Sequence, residues 1–145
     1  MEGQLLTVTI GDYVFGAPVA AVTEILASPQ VTTIPRTPSV IAGVAVVRGQ
    51  ALTVLTLRPY LNLPASSVPM ALRWGGHRGT LLIAVDRVDS LWTPNEPMAE
   101  DKWQGLVPQT MVGFLAAGYR SGSEWLWAWA DDLPDRLQNS VLTTA

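Results

Sequence analysis

One stretch of this 145-residue chain decides its fold. From Ile34 to Arg58 it reads IPRTPSVIAGVAVVRGQALTVLTLR. The segment from Val40 to Val47 is apolar throughout, which predicts a strand that is buried on both faces, with Gly43 allowing close backbone approach. Arg48-Gly49-Gln50 predicts a turn, and Leu52 to Leu57 predicts a strand that returns beside the first.

The preceding stretch predicts a hairpin followed by a helix. From Ile10 to Ile25 it reads IGDYVFGAPVAAVTEI, and just before it apolar residues alternate with threonines, as in a half-buried strand. Gly11-Asp12 suits a tight turn and Tyr13–Ala17 suits the returning strand. Pro18 is typical of a first helical turn, so a helix is expected from there to Ser28-Pro29.

The rest of the chain predicts further strands with little helix. The expected elements are a hairpin from Met70 to Val85 with a glycine-rich tip, a long surface loop over Pro94–Gln104, strands within Val107–Ala117 and Glu124–Ala130, and a final helical turn over Asp131–Leu137.

A degenerate repeat indicates two similar halves. The order Val22-x-Glu24-Ile25, Ile34-Pro35, Ile41-Ala-Gly43 is echoed after roughly 70 residues by Val88-x-x-Leu91, Val107-Pro108, Met111-Val-Gly113. This spacing favours two small interlocked β-barrels that share one core. A single larger barrel is the alternative.

Composition excludes several functional classes. The net charge is −3 and the pI about 4.9, which disfavours nucleic-acid binding. The chain has no cysteine, and its longest apolar run is far shorter than the roughly 20 residues needed to cross a bilayer. The first residues do not resemble an export signal. A cytoplasmic protein without direct membrane insertion is expected.

The residues offer little for catalysis. The single histidine, His77, lies in Gly75-Gly-His-Arg-Gly79, where a solvated turn residue is the simplest interpretation. Asp131-Asp132 suits a helix cap better than a carboxylate pair. No grouping of His, Asp and Glu has metal-ligand spacing, so neither an enzyme nor a bound cofactor is expected.

Three tryptophans fall on one face of a predicted strand. Trp125, Trp127 and Trp129 alternate with smaller apolar residues. They predict either a packed core between the two lobes or an exposed apolar groove for a partner.

Arg48 is the residue best suited to binding a partner. It ends an apolar strand and presents a planar fork of donors, which suits a carboxylate. The alternative is an internal bridge to an acid such as Glu24, and both roles are compatible.

These motifs together resemble the CheW-like domain of bacterial chemosensory systems. The resemblance covers nearly the whole chain and is strongest from Ile10 to Arg58. It is carried by Gly11, Phe15-Gly16, Val22-x-Glu24-Ile25, Ile34-Pro35, Ile41-x-Gly43-Val44, Arg48-Gly49, Leu57-Arg58, Val85-Asp86-x-Val88 and Val112-Gly113.

The resemblance implies a mainly β fold of two intertwined five-stranded SH3-like barrels with short helices, forming one domain over residues 1–145 from two pseudo-symmetric lobes. It implies a non-catalytic adaptor that couples the cytoplasmic domain of a chemoreceptor (a methyl-accepting chemotaxis protein) to the regulatory domain of a CheA-type histidine kinase. The implied receptor-binding residues are Val22, Glu24, Gly43 and Arg48, and the implied kinase-binding residues are Val85, Asp86 and Val88.

Two features depart from the family pattern. Thr53 and Thr56 stand where the family commonly has Pro and Asp, and the tryptophan-rich strand is unusual. These departures leave open a divergent role in another chemosensory pathway. The alternative function is a small-molecule or peptide-binding double β-barrel with a tryptophan-lined pocket.

Overall fold

The structure is a computed structural model that describes residues 3–76 and 79–143. The strands are β1 (Leu5–Ile10), β2 (Tyr13–Pro18), β3 (Val22–Ala27), β4 (Val31–Thr32), β5 (Ile41–Val47), β6 (Gln50–Leu55), β7 (Met70–Gly76), β8 (Gly79–Val85), β9 (Arg87–Trp92), β10 (Leu115–Ser121) and β11 (Glu124–Trp129). The α-helices are α1 (Glu100–Trp103), α2 (Gln109–Val112) and α3 (Leu133–Thr143), and short 3₁₀ helices cover Val19–Ala21, Arg58–Leu61 and Gln104–Leu106.

The strands form two sheets that interlock along the chain. Sheet 1 has the order β10-β11-β2-β1-β9, and sheet 2 has the order β3-β7-β8-β6-β5-β4. Sheet 1 therefore combines the first two strands with the last three, while sheet 2 contains the middle of the chain. The mainly β prediction is confirmed. Sheet 2 has six strands instead of five, because the two-residue β4 pairs with the edge of β5.

Side chains from both sheets form a central apolar cluster. Its members alternate along the strands, as Leu72 and Trp74 do on β7 and Leu81, Ile83 and Val85 do on β8. The intervening residues form a smaller cluster on the other face of sheet 2, and sheet 1 has its own small cluster around Leu5, Tyr119 and Leu126. The sequence predicted one continuous core. The structure instead has three apolar clusters, of which the largest lies between the two sheets.

The helix predicted from Pro18 to Ser28 is wrong. Only Val19–Ala21 is helical, as one 3₁₀ turn, and Val22–Ala27 is a strand that pairs antiparallel with β7. β-branched residues at Val22, Thr23 and Ile25 favour the extended conformation, and pairing with β7 overrides the helical spacing of the apolar residues.

Other elements differ from the sequence predictions in detail. β5 is not buried on both faces, since Val46 is 70% exposed. The predicted surface loop contains α1, whose Trp103 is buried, and the predicted strand over Val107–Ala117 contains α2 before β10 begins. The final helical turn extends to the eleven-residue α3. His77 lies outside the described residues, so its assignment stays a prediction.

Gly43 permits the contact between β4 and β5. Its φ of 153° is disfavoured for residues with a side chain, and a Cβ there would overlap the main-chain carbonyl of Thr32. The close backbone approach expected from the sequence is therefore present at this position.

Gly43→Ala should destabilise the protein by about 2 kcal/mol or more, because both the φ value and the space at Thr32 exclude a methyl group. Urea unfolding would measure the change. Gly105→Ala is the matched control, since the space around Gly105 is open. Equal stability of the two variants would contradict this account of Gly43.

Candidate functional site

An exposed ion pair joins β3 to the β5–β6 turn. The Arg48 guanidinium donates from its two amino groups to Glu24, at 2.8 Å to Oε2 and 2.5 Å to Oε1. Arg48 is 65% exposed and Glu24 is 26% exposed. The internal bridge proposed from the sequence is therefore present, and it lies on the surface where a partner could reach Arg48.

The same pair spans several strands of sheet 2. β3 and β6 are three strand positions apart, with β7 and β8 between them. The long Glu24 and Arg48 side chains therefore connect one edge strand of the sheet to the β5–β6 turn. The small cluster of sheet 2 draws side chains from all six strands.

The backbone at Arg48 is unusual for arginine. Arg48 and Gly49 have φ values of 49° and 82°, and positive φ at both central residues is the pattern of a type I′ hairpin turn. Asn or Gly suits the first position better than Arg. An arginine side chain does not favour this turn conformation. We therefore attribute the role of Arg48 to the contacts of its guanidinium.

A second arginine also faces Glu24. Arg73 lies opposite Glu24 in the β3–β7 register, with its NH1 3.5 Å from Glu24 Oε1 and its NH2 donating to Gln50 Oε1 at 2.8 Å. The sequence analysis did not single out Arg73. The available signal was a lone charge within the apolar strand β7, since such a charge requires a partner.

The two arginines shift the acidity of Glu24. The hydrogen bond from Arg48 is the main cause that holds the pKa of the Glu24 carboxyl below its ordinary value, and Arg73 adds to it, against a partial opposition from desolvation. Glu24 in turn raises the pKa of the Arg48 guanidinium.

A second charged cluster connects the two sheets. The Asp86 carboxylate, between β8 and β9, accepts from the Gly11 backbone N–H at 2.7 Å and from Arg58 NH1 at 3.0 and 3.2 Å. Arg58 Nε also donates to the Pro64 carbonyl at 2.6 Å. Asp86 thus fixes the β1–β2 turn of sheet 1 to the segment that follows β6.

The remaining residues assigned by resemblance have mainly structural surroundings. Val22 and Val88 are partly buried against the central cluster, and Gly43 is buried beside β4. Val85 is 1% exposed and its side chain fills the core between the sheets, so it supports the β8–β9 region from inside.

The tryptophans of β11 pack into the core, which is the first of the two alternatives that the sequence offered. Trp127 and Trp129 are buried in the central cluster, where Trp129 stacks on Phe15, and Trp125 packs against the same cluster. A cavity of about 640 Å³ is lined in part by Trp129, but neither Trp125 nor Trp127 is among its described lining residues. Among the described residues, this cavity is reached by Trp129 and not by the other two tryptophans of the strand.

A comparison of the sequence with models of protein families identifies this architecture. The family model of the CheW-like domain matches residues 4–120. The chain belongs to the CheW-like family. A search of curated proteins gives no match.

A solved structure shares this CheW-like fold. The scaffolding protein TtCheW from Thermoanaerobacter tengcongensis superposes with a TM-score of 0.73, over 90% of this chain and 85% of that one, at 17% sequence identity. Among the described residues of the CheW-like chain, no helix is long and apolar enough to cross a membrane.

The stabilisation from Glu24 should depend on pH. Its folded-state pKa is lowered, so the contribution is complete above the ordinary value of 4.5 and is lost as the pH falls through the lower folded value. The difference in unfolding free energy between the parent and Glu24→Gln should shrink over that range. Chemical unfolding at several pH values measures it. In an Arg48→Asn/Arg73→Gln background this pH dependence should disappear, and its persistence would contradict the assignment.

Asp86→Asn should destabilise the CheW-like fold by about 1–3 kcal/mol, because the amide carries no charge for Arg58 and its NH2 group would put a donor in place of one of the two oxygens that accept from Arg58 NH1. Thermal or urea unfolding measures the loss. Asp12→Asn is the matched control, because it makes the same change to an exposed carboxylate in the β1–β2 turn. An equal effect in the two variants would contradict the role of Asp86 as a connection between the sheets.

Proposed function

We propose that this CheW-like protein is a non-catalytic adaptor of chemosensory signalling in the cytoplasm. It couples the cytoplasmic domain of a chemoreceptor to the regulatory domain of a CheA-type histidine kinase. The observation that carries the proposal is an arginine fork, held by Glu24 and open to solvent, at a turn of a CheW-like fold.

The surroundings of this pair support a receptor-binding surface. Ile25, next to Glu24, is 46% exposed, and the strongly exposed Val46 comes two residues before Arg48. Arginine is enriched among the residues that dominate protein interfaces. Strand alternation places Ile25 on the opposite face of β3 from Glu24, so these apolar side chains add exposed area near the pair, on the other face of the sheet. The receptor contact therefore centres on Glu24 and Arg48, while Gly43 supports it by allowing the β4–β5 pairing.

The kinase contact is assigned to the region where β8 passes into β9. Val88 is partly exposed there, and Asp86 holds the junction through Gly11 and Arg58. Val85 contributes from the core. This assignment rests on the family resemblance together with the exposed position of β9 at the edge of sheet 1.

The function is tested by binding to two purified partners, a chemoreceptor cytoplasmic fragment and the regulatory domain of a CheA-type kinase. A folded sample that binds neither would contradict the proposal.

Arg48→Asn should weaken receptor binding about tenfold or more, because it removes the guanidinium while Asn suits the left-handed turn. Calorimetry measures the affinity and thermal unfolding checks the fold. Arg36→Asn is the matched control, since Arg36 is also exposed and has a φ of 64°. If both variants bind like the parent, Arg48 is not part of the interface. If Arg48→Asn only lowers stability, the internal bridge is its main role.

A further inference from the structure

The Glu24 carboxylate faces arginines from two different elements. Oε1 is 2.5 Å from the Arg48 NH2 and 3.5 Å from the Arg73 NH1. One oxygen is thus shared between a close partner on the β5–β6 turn and a more distant one on β7.

The two arginines differ in their freedom to move. Arg48 is mostly exposed, whereas Arg73 is 17% exposed. Arg73 is also anchored by its hydrogen bond to Gln50 and by its position directly opposite Glu24. Arg48 is therefore the arginine that can leave, and Arg73 the one that stays.

Departure of Arg48 alone would leave Glu24 without its nearest counter-charge, which is unfavourable for a partly buried carboxylate. Arg73 NH1 would need to move by only roughly 0.6 Å to reach a normal hydrogen-bond length.

We propose that Arg73 is a positioning residue that takes over Glu24 when Arg48 turns outward to bind a carboxylate side chain of the receptor. The proposal rests on the proposed function for its partner. Glu24 thus exchanges one arginine partner for the other. The new contact with Arg73 lowers the free energy needed to release Arg48. Arg48 suits a carboxylate because its fork can donate two parallel hydrogen bonds, as it does to Glu24.

The first experiment measures receptor-fragment affinity for the parent, Arg73→Gln, Arg73→Lys, Glu24→Gln and the Glu24→Gln/Arg73→Gln double variant. Arg73→Gln should weaken binding about two- to fivefold, the scale of an exposed ion pair, because Arg48 is then retained by Glu24. Arg73→Lys should restore most of the affinity. In the Glu24→Gln background, Arg73→Gln should have no effect, because nothing retains Arg48.

A merely structural role for Arg73 gives a different result. Arg73→Gln would then weaken binding equally with Glu24 present or replaced, and that outcome overturns the proposal. An Arg73→Gln variant with parental affinity overturns it as well.

The second experiment needs no partner. Carbon-detected NMR titration follows the Glu24 carboxyl in Arg48→Asn and in Arg48→Asn/Arg73→Gln. If Arg73 takes over Glu24, the carboxyl pKa stays below its ordinary value in the single variant and returns to it in the double variant. An ordinary pKa in the single variant overturns the takeover even if the receptor binds. A parent protein that fails to bind the receptor instead overturns the proposed function, whatever the titration shows.

Discussion

The packing of the two sheets through the central cluster is the contact on which the rest of the structure depends. On β7 and β8 one set of alternating side chains enters this cluster, and the other set forms the small cluster on the opposite face of sheet 2. Strands buried on both faces leave few positions for charge, which fits the 14% of charged residues. The charges that do lie near the core are paired, as Glu24 and Asp86 are with their arginines.

Elements that depend on interactions between sequence neighbours were predictable, and elements that depend on contacts between distant segments were not. Strict alternation in β1 and the Arg48-Gly49 turn depend on neighbouring residues, so these elements were predictable. The helix from Pro18 was wrong because pairing of β3 with β7, a contact between distant segments, decides the conformation. The Glu24–Arg48 bridge was foreseen as one alternative. Arg73 was missed because only the β3–β7 register brings it to Glu24.

Residues that resemble binding positions can act through folding. Gly43 and Val85 fit the family motifs, yet one allows two backbones to meet and the other fills the core. Substitution at either would disturb the surface indirectly by moving β4 or separating the sheets. Loss of partner binding in such variants would therefore not place these residues at an interface. Arg48 is different, since its side chain is exposed and asparagine preserves the turn.

The interlocked strand order also governs how the chain must fold as it leaves the ribosome. Sheet 2 draws its strands from one contiguous segment in the middle of the sequence, so it can assemble before synthesis ends. Sheet 1 cannot, because β2 runs parallel to β11, with Phe15 beside Trp127. The amino-terminal hairpin must wait with apolar side chains uncovered until the last strands emerge. Such long-range closure slows folding and makes the nascent chain dependent on its own carboxyl end.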